Sequence, residues 1–167
     1  MKYGIKEECV ACFPQDKVIS GWAEISEHDY EEYMLGNMKI QDGTLVKIDE
    51  KVLLDRCIDN KHTELKGVMT SKRQALTVAY DADTFDANED AQANMIVLLK
   101  SFDLGASSVS IRSATEQTHT FNKEHTQELS MLMLQAVNNL YSKYWEYKDA
   151  LYNCKTIEEV EAISWKD

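Results

Sequence analysis

Short apolar runs separated by polar residues fill residues 1–49, a pattern typical of a small β-rich module. Residues 3–5 and residues 18–22 are two such runs, and they lie on either side of the only proline, Pro14. Each run is of a length and composition that predicts a short strand. We therefore predict a β-rich N-terminal module over residues 1–49.

A short helix and a hairpin are predicted later in this module. Ser26 opens a stretch similar to a capping box, and the helix that it begins is expected to end at Gly36. Residues 38–48 then alternate around Asp42-Gly43, a dipeptide typical of two-residue hairpin turns. The first module is thus predicted to combine strands with one short helix and one tight hairpin.

Apolar residues recur at helical spacing in the next segment, residues 50–72. Spacings of four, seven and four residues form one apolar stripe, made of Leu54, Ile58, Leu65 and Met69. Gly67 costs about 1 kcal/mol inside a helix, so it marks either the end of this helix or a kink. We interpret the segment as a connector helix between two modules.

Residues 73–167 predict a second module with the element order β-α-β-β-α-α. Alternation and turn residues predict strands at residues 75–80, 84–85, 107–112 and 118–121, and a helix at residues 91–102. A capping box at residues 86–89 is predicted to begin that helix. The chain as a whole is therefore predicted to have an α+β fold, with the β-rich module and the connector helix preceding this second module.

The longest predicted element is a helix over residues 123–154 with Asn122 as its cap, and it would extend about 45 Å. Thr156 is predicted to cap a short last helix that ends with Ile163 and Trp165. One long helix near the C-terminus thus becomes the main feature of the second module.

Two apolar stripes follow the long helix. One has the alternating spacing of four and three residues that is typical of a coiled-coil seam, and it consists of Met133, Val137, Leu140, Tyr144, Tyr147, Leu151 and Cys154. The neighbouring stripe consists of Leu134, Tyr141, Trp145 and Tyr152. Together they are wider than the surface that one sheet face usually covers.

This wide apolar surface has two interpretations. It either packs entirely on the sheet and connector helix of its own chain, or part of it is an exposed interface with another protein. Tyr and Trp are favoured at interface cores because they combine apolar area with a polar group. The sequence therefore gives a candidate protein interface made of Met133, Val137, Leu140, Tyr141, Tyr144, Trp145, Tyr147 and Tyr152.

The charge balance argues against two classes of partner. The chain has 18 basic and 29 acidic residues, a net charge of −11 at pH 7, and no basic stripe. Binding to nucleic acid or to an anionic membrane surface needs clustered Lys and Arg, so neither is expected. The N-terminus has no apolar run long enough for a signal peptide or a membrane span, which predicts a protein made in the cytosol.

The four cysteines leave three interpretations open. Cys9 and Cys12 could form half of a zinc site or a redox pair, with His62, Cys57 or Cys154 completing a zinc site. No second C-x-x-C or H-x₃-H spacing accompanies them, and Pro14 follows where a redox site would need a helix. We therefore predict free thiols and no metal site.

An acidic cluster precedes the first helix of the second module. Asp81, Asp83 and Asp86 form an acidic cluster that could suggest calcium. A calcium loop starting at Asp81, however, would need an oxygen ligand where Phe85 stands, Gly where Asp86 stands and Glu where Gln92 stands. We predict instead a turn followed by a helix N-cap, where carboxylates favour the positive end of the helix dipole.

The histidines do not predict catalysis. His28, His62, His119 and His125 lie outside any local pattern with Ser, Cys or a carboxylate that would indicate a nucleophile and its base. His119 and His125 flank the start of the long helix, where they could approach one another. We predict a non-enzymatic protein with no catalytic residue and no cofactor.

The second module resembles a domain of unknown function that is common in bacteriophage tail and tail-fibre proteins. The resemblance extends over about 85 residues and is carried, in order, by residues 85–88 (FDAN), 91–95 (AQANM), Ile111-Arg112, Asn122 with Leu129, and 162–165 (AISW). The chain departs from the pattern at Asp83, where Gly is more common, and at Asn88, where an acid is more common. The segment from Glu24 to Tyr30 is similar to the start of small proteins encoded beside tail-fibre genes.

The resemblance implies a function in phage tails and supplies no catalytic residue. We expect a structural or adaptor protein of the tail or tail fibre, made in the host cytoplasm and located in the virion. Its expected partners are other tail or tail-fibre proteins, together with further copies of itself. Two alternatives stay open: a chaperone for tail-fibre assembly, and a tip module that binds a receptor or a glycan.

Overall fold

The computed structural model describes residues 1–15 and 20–166. The described chain is a mixture of helices and small antiparallel sheets, which confirms the predicted α+β fold. It divides into two compact units, residues 1–57 and residues 58–167. The strand predicted at residues 18–22 lies partly outside the described residues, because residues 16–19 are not described.

The first unit contains five strands and a short helix. In chain order they are β1 (Lys2–Lys6), β2 (Cys9–Phe13), β3 (Ala23–Ile25), α1 (Glu27–Met34), β4 (Met38–Gln41) and β5 (Thr44–Lys47). β1 lies between β2 and β3 in one antiparallel sheet, while β4 and β5 form a separate hairpin. The strand β2 was not predicted, because its sequence was considered only as a possible cysteine site.

The helix cap and the hairpin turn that were predicted in the first unit are both present. The Ser26 hydroxyl accepts a hydrogen bond from the Asp29 amide and caps α1. Asp42 and Gly43 both have positive φ, at 52° and 72°, which is the conformation of a two-residue hairpin turn. Few side chains of this unit are deeply buried, Ile5 and Met38 being the large apolar examples.

A 25-residue helix, α2 (Glu50–Gln74), follows as predicted for the connector segment. The boundary between the two compact units falls inside it, between Cys57 and Ile58. Leu65 and Met69 of the predicted stripe are buried, whereas Gly67 neither ends nor interrupts the helix.

The second unit contains two hairpins and three further helices. They are β6 (Thr77–Tyr80), β7 (Asp83–Asp86), α3 (Glu89–Asp103), β8 (Val109–Arg112), β9 (Thr118–Phe121), α4 (Lys123–Asn153) and α5 (Ile157–Ala162). β6 pairs with β7 and β8 pairs with β9, each pair antiparallel. The observed order is β-β-α-β-β-α-α, which is the predicted β-α-β-β-α-α module with both predicted strands of its first hairpin counted.

The core of the second unit lies between α3, α4 and the two hairpins. Its buried members are Phe85, Ala87, Met95, Val109, Phe121, Leu129 and Met133. Phe85 and Phe121 bring their ring centroids to 5.7 Å, and both are almost fully buried. Each such apolar side chain contributes roughly 1.5–3 kcal/mol on burial, so this cluster fixes one face of α4 against the rest of the unit.

Side-chain caps set the ends of the helices in this unit. Asn122 accepts from the His125 amide at the start of α4, and Thr156 forms a reciprocal capping box with Glu159 at the start of α5, both as predicted. The predicted cap of α3 was placed two residues too early. Asn88 makes this cap by accepting from the Ala91 amide, whereas the preceding residues 83–86 belong to β7.

Candidate protein-binding interface

One face of α4 is buried by packing within its own unit. Of the eight residues of the candidate interface, Met133, Val137, Leu140 and Tyr144 are buried. They lie on the same side as the buried Leu129 and Leu151, at spacings of four, four, three, four and seven residues, and α4 contacts α3, β6 and β9. We call this set, from Leu129 to Leu151, the inner seam; its members stabilise the fold of the unit.

A second face of α4 points outward. We define the outer stripe as Met131, Leu134, Asn138, Tyr141, Trp145 and Tyr152. Met131, Leu134 and Trp145 are 63%, 48% and 56% exposed, and Tyr152 is exposed as well. The first five members also follow one another at spacings of three, four, three and four residues. Two parallel seams thus share one helix, but only the inner one is covered.

A histidine on α2 holds two tyrosines of α4. His62 Nε2 lies 2.8 Å from the Tyr144 hydroxyl, and its Nδ1 lies 3.3 Å from the Tyr152 hydroxyl. A hydroxyl can donate or accept, so both ring nitrogens are satisfied in either neutral tautomer. Sequence reasoning missed this role, because His62 is more than 80 residues away from both tyrosines.

Arg73 contacts a third tyrosine, Tyr141, and so orients this member of the outer stripe. Its Nη1 donates to the Tyr141 hydroxyl at 2.8 Å, and its guanidinium lies 5.6 Å from the centroid of the Tyr141 ring. The Tyr141 ring in turn lies 5.9 Å from the Trp145 ring. Arg73 therefore fixes Tyr141, and Tyr141 supports the exposed indole of Trp145 from one side.

Tyr147 contacts the C-terminal segment of the same chain. The ring of Trp165 lies 5.2 Å from the ring of Tyr147, and the Lys166 amide donates to the Tyr147 hydroxyl at 2.9 Å. The ammonium of Lys143 lies 5.8 Å from the centroid of the Trp165 ring. The closing AISW motif thus folds back onto α4, which leaves Tyr147 half-buried rather than on the outer stripe.

The outward face of α4 is unusual for this acidic chain because it lacks charge. Residues 129–142 contain no Asp, Glu, Lys or Arg, although the chain has a net charge of −11. The exposed polar side chains beside the stripe are Gln135, Asn139 and Ser142. Depletion of charge with enrichment of Met, Tyr and Trp is the composition of interface cores.

A shallow groove of about 830 Å³ runs along the N-terminal half of this face. Met131, Leu134 and Asn138 line it, and Tyr80 of β6 forms its side wall. The Tyr80 hydroxyl donates to the Glu128 carboxylate at 2.5 Å. That hydrogen bond, with smaller contributions from desolvation and nearby carboxylates, raises the pKa of Tyr80 to about 12.

The acidic cluster has a structural role that differs from the predicted one. Thr115 donates to Asp83 at 2.8 Å, His119 Nε2 lies 2.8 Å from the same carboxylate, and the Thr84 amide donates at 2.7 Å. Together with Ser113, these donors hold the pKa of Asp83 well below its usual range. A carboxylate only accepts, so His119 carries its proton on Nε2. Asp83 thereby joins the β6–β7 hairpin to the β8–β9 hairpin.

The other two acids of the cluster do not share this site. Asp81 and Ala82 form the turn between β6 and β7, both with positive φ, at 50° and 61°. Asp86 pairs with Thr77 across the hairpin and caps no helix. The described residues contain no group of three or more His, Cys, Asp or Glu side chains arranged to hold a metal ion.

The cysteines are free thiols, as predicted. Cys9 and Cys12 are exposed on β2, and their odd separation places them on opposite faces of the strand. One tetrahedral ion could therefore not bind both without a change of backbone. Burial raises the pKa of the Cys154 thiol, which lies at the end of α4.

None of the helices among the described residues is long and apolar enough to cross a membrane.

Comparison with known proteins places the second unit in a family. The chain matches no curated protein and no solved structure. Residues 59–164 match the family described as a domain of unknown function, DUF4376. This confirms that the predicted resemblance concerns a domain of unknown function. Because the match extends over more than half of the 167 residues, the chain belongs to the DUF4376 family.

Proposed function

We propose that this protein is a non-enzymatic structural or adaptor component of a bacteriophage tail or tail fibre, and that it acts by binding other tail proteins. The observation that carries the proposal is the outer stripe, a largely exposed and aromatic face on a helix whose other face is buried. Its N-terminal part, within residues 129–142, carries no charge. The resemblance of residues 85–165 to phage tail domains supports the biological setting.

The outer stripe has the physical properties of a binding surface. Trp and Tyr are over-represented among residues that dominate binding energy, since each buries a large rigid area at little entropic cost. Tyr141 is already fixed by Arg73, and Tyr152 by His62. A partner would therefore meet side chains that lose little further freedom on binding, which favours affinity.

The charge distribution supports protein as the class of partner. The net charge of −11 keeps the rest of the surface hydrated and repels nucleic acid and anionic lipid. On residues 129–142 this repulsion is locally absent, so an apolar partner surface can approach without desolvating charges. Binding through this band needs neither a metal nor a cofactor.

The setting is tested by mass spectrometry of purified particles of the phage that encodes the protein. We expect the protein at a fixed copy number per particle. Its absence from particles, with co-purification of a fibre protein from infected cells, would replace the structural role with that of an assembly chaperone. Absence from both would overturn the phage-tail proposal.

The surface is tested by affinity purification from infected cells, with the captured tail proteins identified. Trp145→Ala combined with Leu134→Glu is expected to lose those tail proteins. Val97→Glu is the matched control, because Val97 is an equally exposed apolar residue on another helix of the same unit. Loss of partners with the control, or retention with the double variant, would exclude the outer stripe as the binding site.

A further inference from the structure

We propose that the outer stripe binds the outer stripe of a second copy of this chain, with the two α4 helices antiparallel. The inference rests on the proposed function, which assigns this stripe to protein binding, and it names the partner.

The spacing of the outer stripe favours another helix as the partner. Met131, Leu134, Asn138, Tyr141 and Trp145 alternate at three and four residues, and this is the repeat with which two α-helices pack side chains into each other's gaps. Residues 131–145 rise about 21 Å along the axis. A straight helix in a second copy presents the same repeat over the same length.

Charge determines where two copies of this chain can meet. Any second copy also carries a net charge of −11, so two copies repel wherever charged surfaces meet. The band over residues 129–142 is free of charge and exposes the apolar side chains of Met131 and Leu134. Two copies that meet through this band keep their acidic residues in water, where the repulsion is screened.

The side chains at the two ends of the stripe differ in size, and this difference favours one relative orientation of the two helices. Its N-terminal half presents the aliphatic side chains Met131 and Leu134, and its C-terminal half presents Tyr141 and Trp145. Parallel helices would place Trp145 against Trp145 of the second copy. The smaller side chains at the other end, Met131 and Leu134, would then be held too far from their own copies to pack. Antiparallel helices place each aromatic half on an aliphatic half, where the Met131 thioether can contact a ring.

The flanking charges favour the same orientation. Glu124 and Glu128 lie beside the N-terminal end of the stripe, whereas Lys148 and Asp149 lie beside its C-terminal end. Parallel helices would align the two glutamates with their own copies. Antiparallel helices place them near a lysine and an aspartate whose charges cancel, which removes that repulsion.

Asn138 stands at the middle of residues 131–145, the part of the outer stripe that forms the contact, and lies near the twofold axis of such a pair. A single polar residue in an otherwise apolar seam selects one register and orientation, because its amide must find a hydrogen-bonding partner. Here the central part of the facing helix offers Asn138 and Tyr141 of the second copy. The groove beside Tyr80 adds area to a contact that would otherwise be one helix wide.

The contact is small, so the dimer is expected to be reversible. A strip about 21 Å long and about 10 Å wide lies below the roughly 800 Å² per partner of standard interfaces, even when the groove is added. Sedimentation equilibrium of the full chain should therefore show a monomer–dimer exchange that depends on concentration.

Met131→Glu is expected to weaken this dimer by at least about tenfold in Kd, since it places two carboxylates in the apolar contact. The matched control is Val97→Glu, because Val97 is 66% exposed and Met131 is 63% exposed. The control should dimerise like the parent chain. Equal weakening by both variants, or a parent chain that stays monomeric at every concentration, would overturn the proposal.

Cross-linking measures the orientation directly. In a chain with Cys9, Cys12, Cys57 and Cys154 changed to Ser, Gln127→Cys and Asp149→Cys are made separately. A short bismaleimide should join the first variant to the second in a mixture and should leave Gln127→Cys alone uncross-linked. In the antiparallel pair the two copies of residue 127 lie more than about 25 Å apart. Efficient cross-linking of Gln127→Cys with itself would show parallel helices.

The two proposals fail in different ways. A chain that is monomeric in solution excludes the second copy as the occupant, whatever its phage partners are. If that monomer still loses its tail proteins on Trp145→Ala with Leu134→Glu, the proposed function stands and the stripe binds another protein. If dimerisation is found but no tail protein is captured, the antiparallel pair stands and the proposed phage role is wrong.

Discussion

The inner seam and the outer stripe of α4 share a similar repeat and have opposite environments. Both repeat at three and four residues, and both combine aliphatic with aromatic side chains. In the inner seam, Leu129 and Met133 are buried in the core that α4 forms with α3 and the hairpins. Tyr144, further along the seam, contacts His62 of α2. The outer stripe receives contacts from Arg73 and His62 of α2 at Tyr141 and Tyr152, while Met131, Leu134 and Trp145 stay largely exposed. A repeat in the sequence thus identifies a face that can pack, and the tertiary neighbours decide whether it does.

The comparison yields a simple rule for substitutions. Changes in the inner seam should alter the free energy of unfolding, whereas changes in the outer stripe should alter binding and leave unfolding nearly unchanged. The following predictions test that separation.

The largest difference is expected between two leucines of the same helix. Leu129→Ala should lower the free energy of unfolding by about 2–5 kcal/mol, because it leaves a cavity beside Phe121 and Met133. Leu134→Ala should cost less than about 0.5 kcal/mol, since that side chain lies at the surface. Urea denaturation followed by circular dichroism measures both. Similar losses for the two variants would mean that the outer stripe is covered within the chain.

A second, smaller difference is expected between two tryptophans. Trp165→Ala should lower the free energy of unfolding by about 1–3 kcal/mol, through loss of buried area and of its ring contact with Tyr147. Trp145→Ala should change it by less than about 0.5 kcal/mol. Thermal unfolding of both variants gives the comparison. A stable Trp165→Ala variant would show that the closing motif contributes little to the fold.

Acid should affect the fold through Asp83. Its pKa is lowered in the folded chain, so its contribution to stability is fully present above the unfolded pKa of roughly 3.9 and is lost as the pH falls towards the lowered folded value. The temperature at which half of the parent chain is unfolded should therefore decrease as the pH is lowered below about 4. In Asp83→Asn the part of this fall that comes from Asp83 should be missing. Identical pH profiles for the two chains would contradict the role assigned to this carboxylate.

The smallest expected effect is a gain of stability. Ala82 holds a positive φ in a two-residue turn, a conformation that Gly adopts without strain, so Ala82→Gly should raise the free energy of unfolding by about 0.5–1 kcal/mol. The other hairpin offers the reverse change, and Gly43→Ala should cost a similar amount. Neither variant should alter dimerisation, which separates stability from binding. A loss of stability in Ala82→Gly would show that flexibility of the unfolded chain outweighs the relief of strain.

Much of the fold could be predicted because its signals are local. The turn at Asp42-Gly43 and the caps at Ser26, Asn122 and Thr156 depend on residues at most four positions apart. The cap of α3 was misplaced for a local reason as well, because a capping box can be fitted to residues 86–89 although residues 83–86 form β7.

The candidate site was harder to predict, because burial depends on distant residues. Nothing near Met133 or Leu134 in the sequence distinguishes the buried side chain from the exposed one. Met131 was left out of the candidate interface, since Asn138 interrupts the apolar pattern that would have included it. The contacts of Arg73 and His62 with the tyrosines join residues 68 to 90 positions apart, and no spacing rule predicts them.

The exposed thioether of Met131 makes the outer stripe sensitive to oxidation. Hydrogen peroxide converts methionine into a polar sulfoxide, and enzymes that reduce methionine sulfoxide reverse the change. Met133, only two residues away, is protected by its burial in the core. Mild oxidation should therefore modify this face while leaving the fold of the unit intact. A preparation aged in air would lose its ability to associate before it lost any helical signal, and a reductase would restore it.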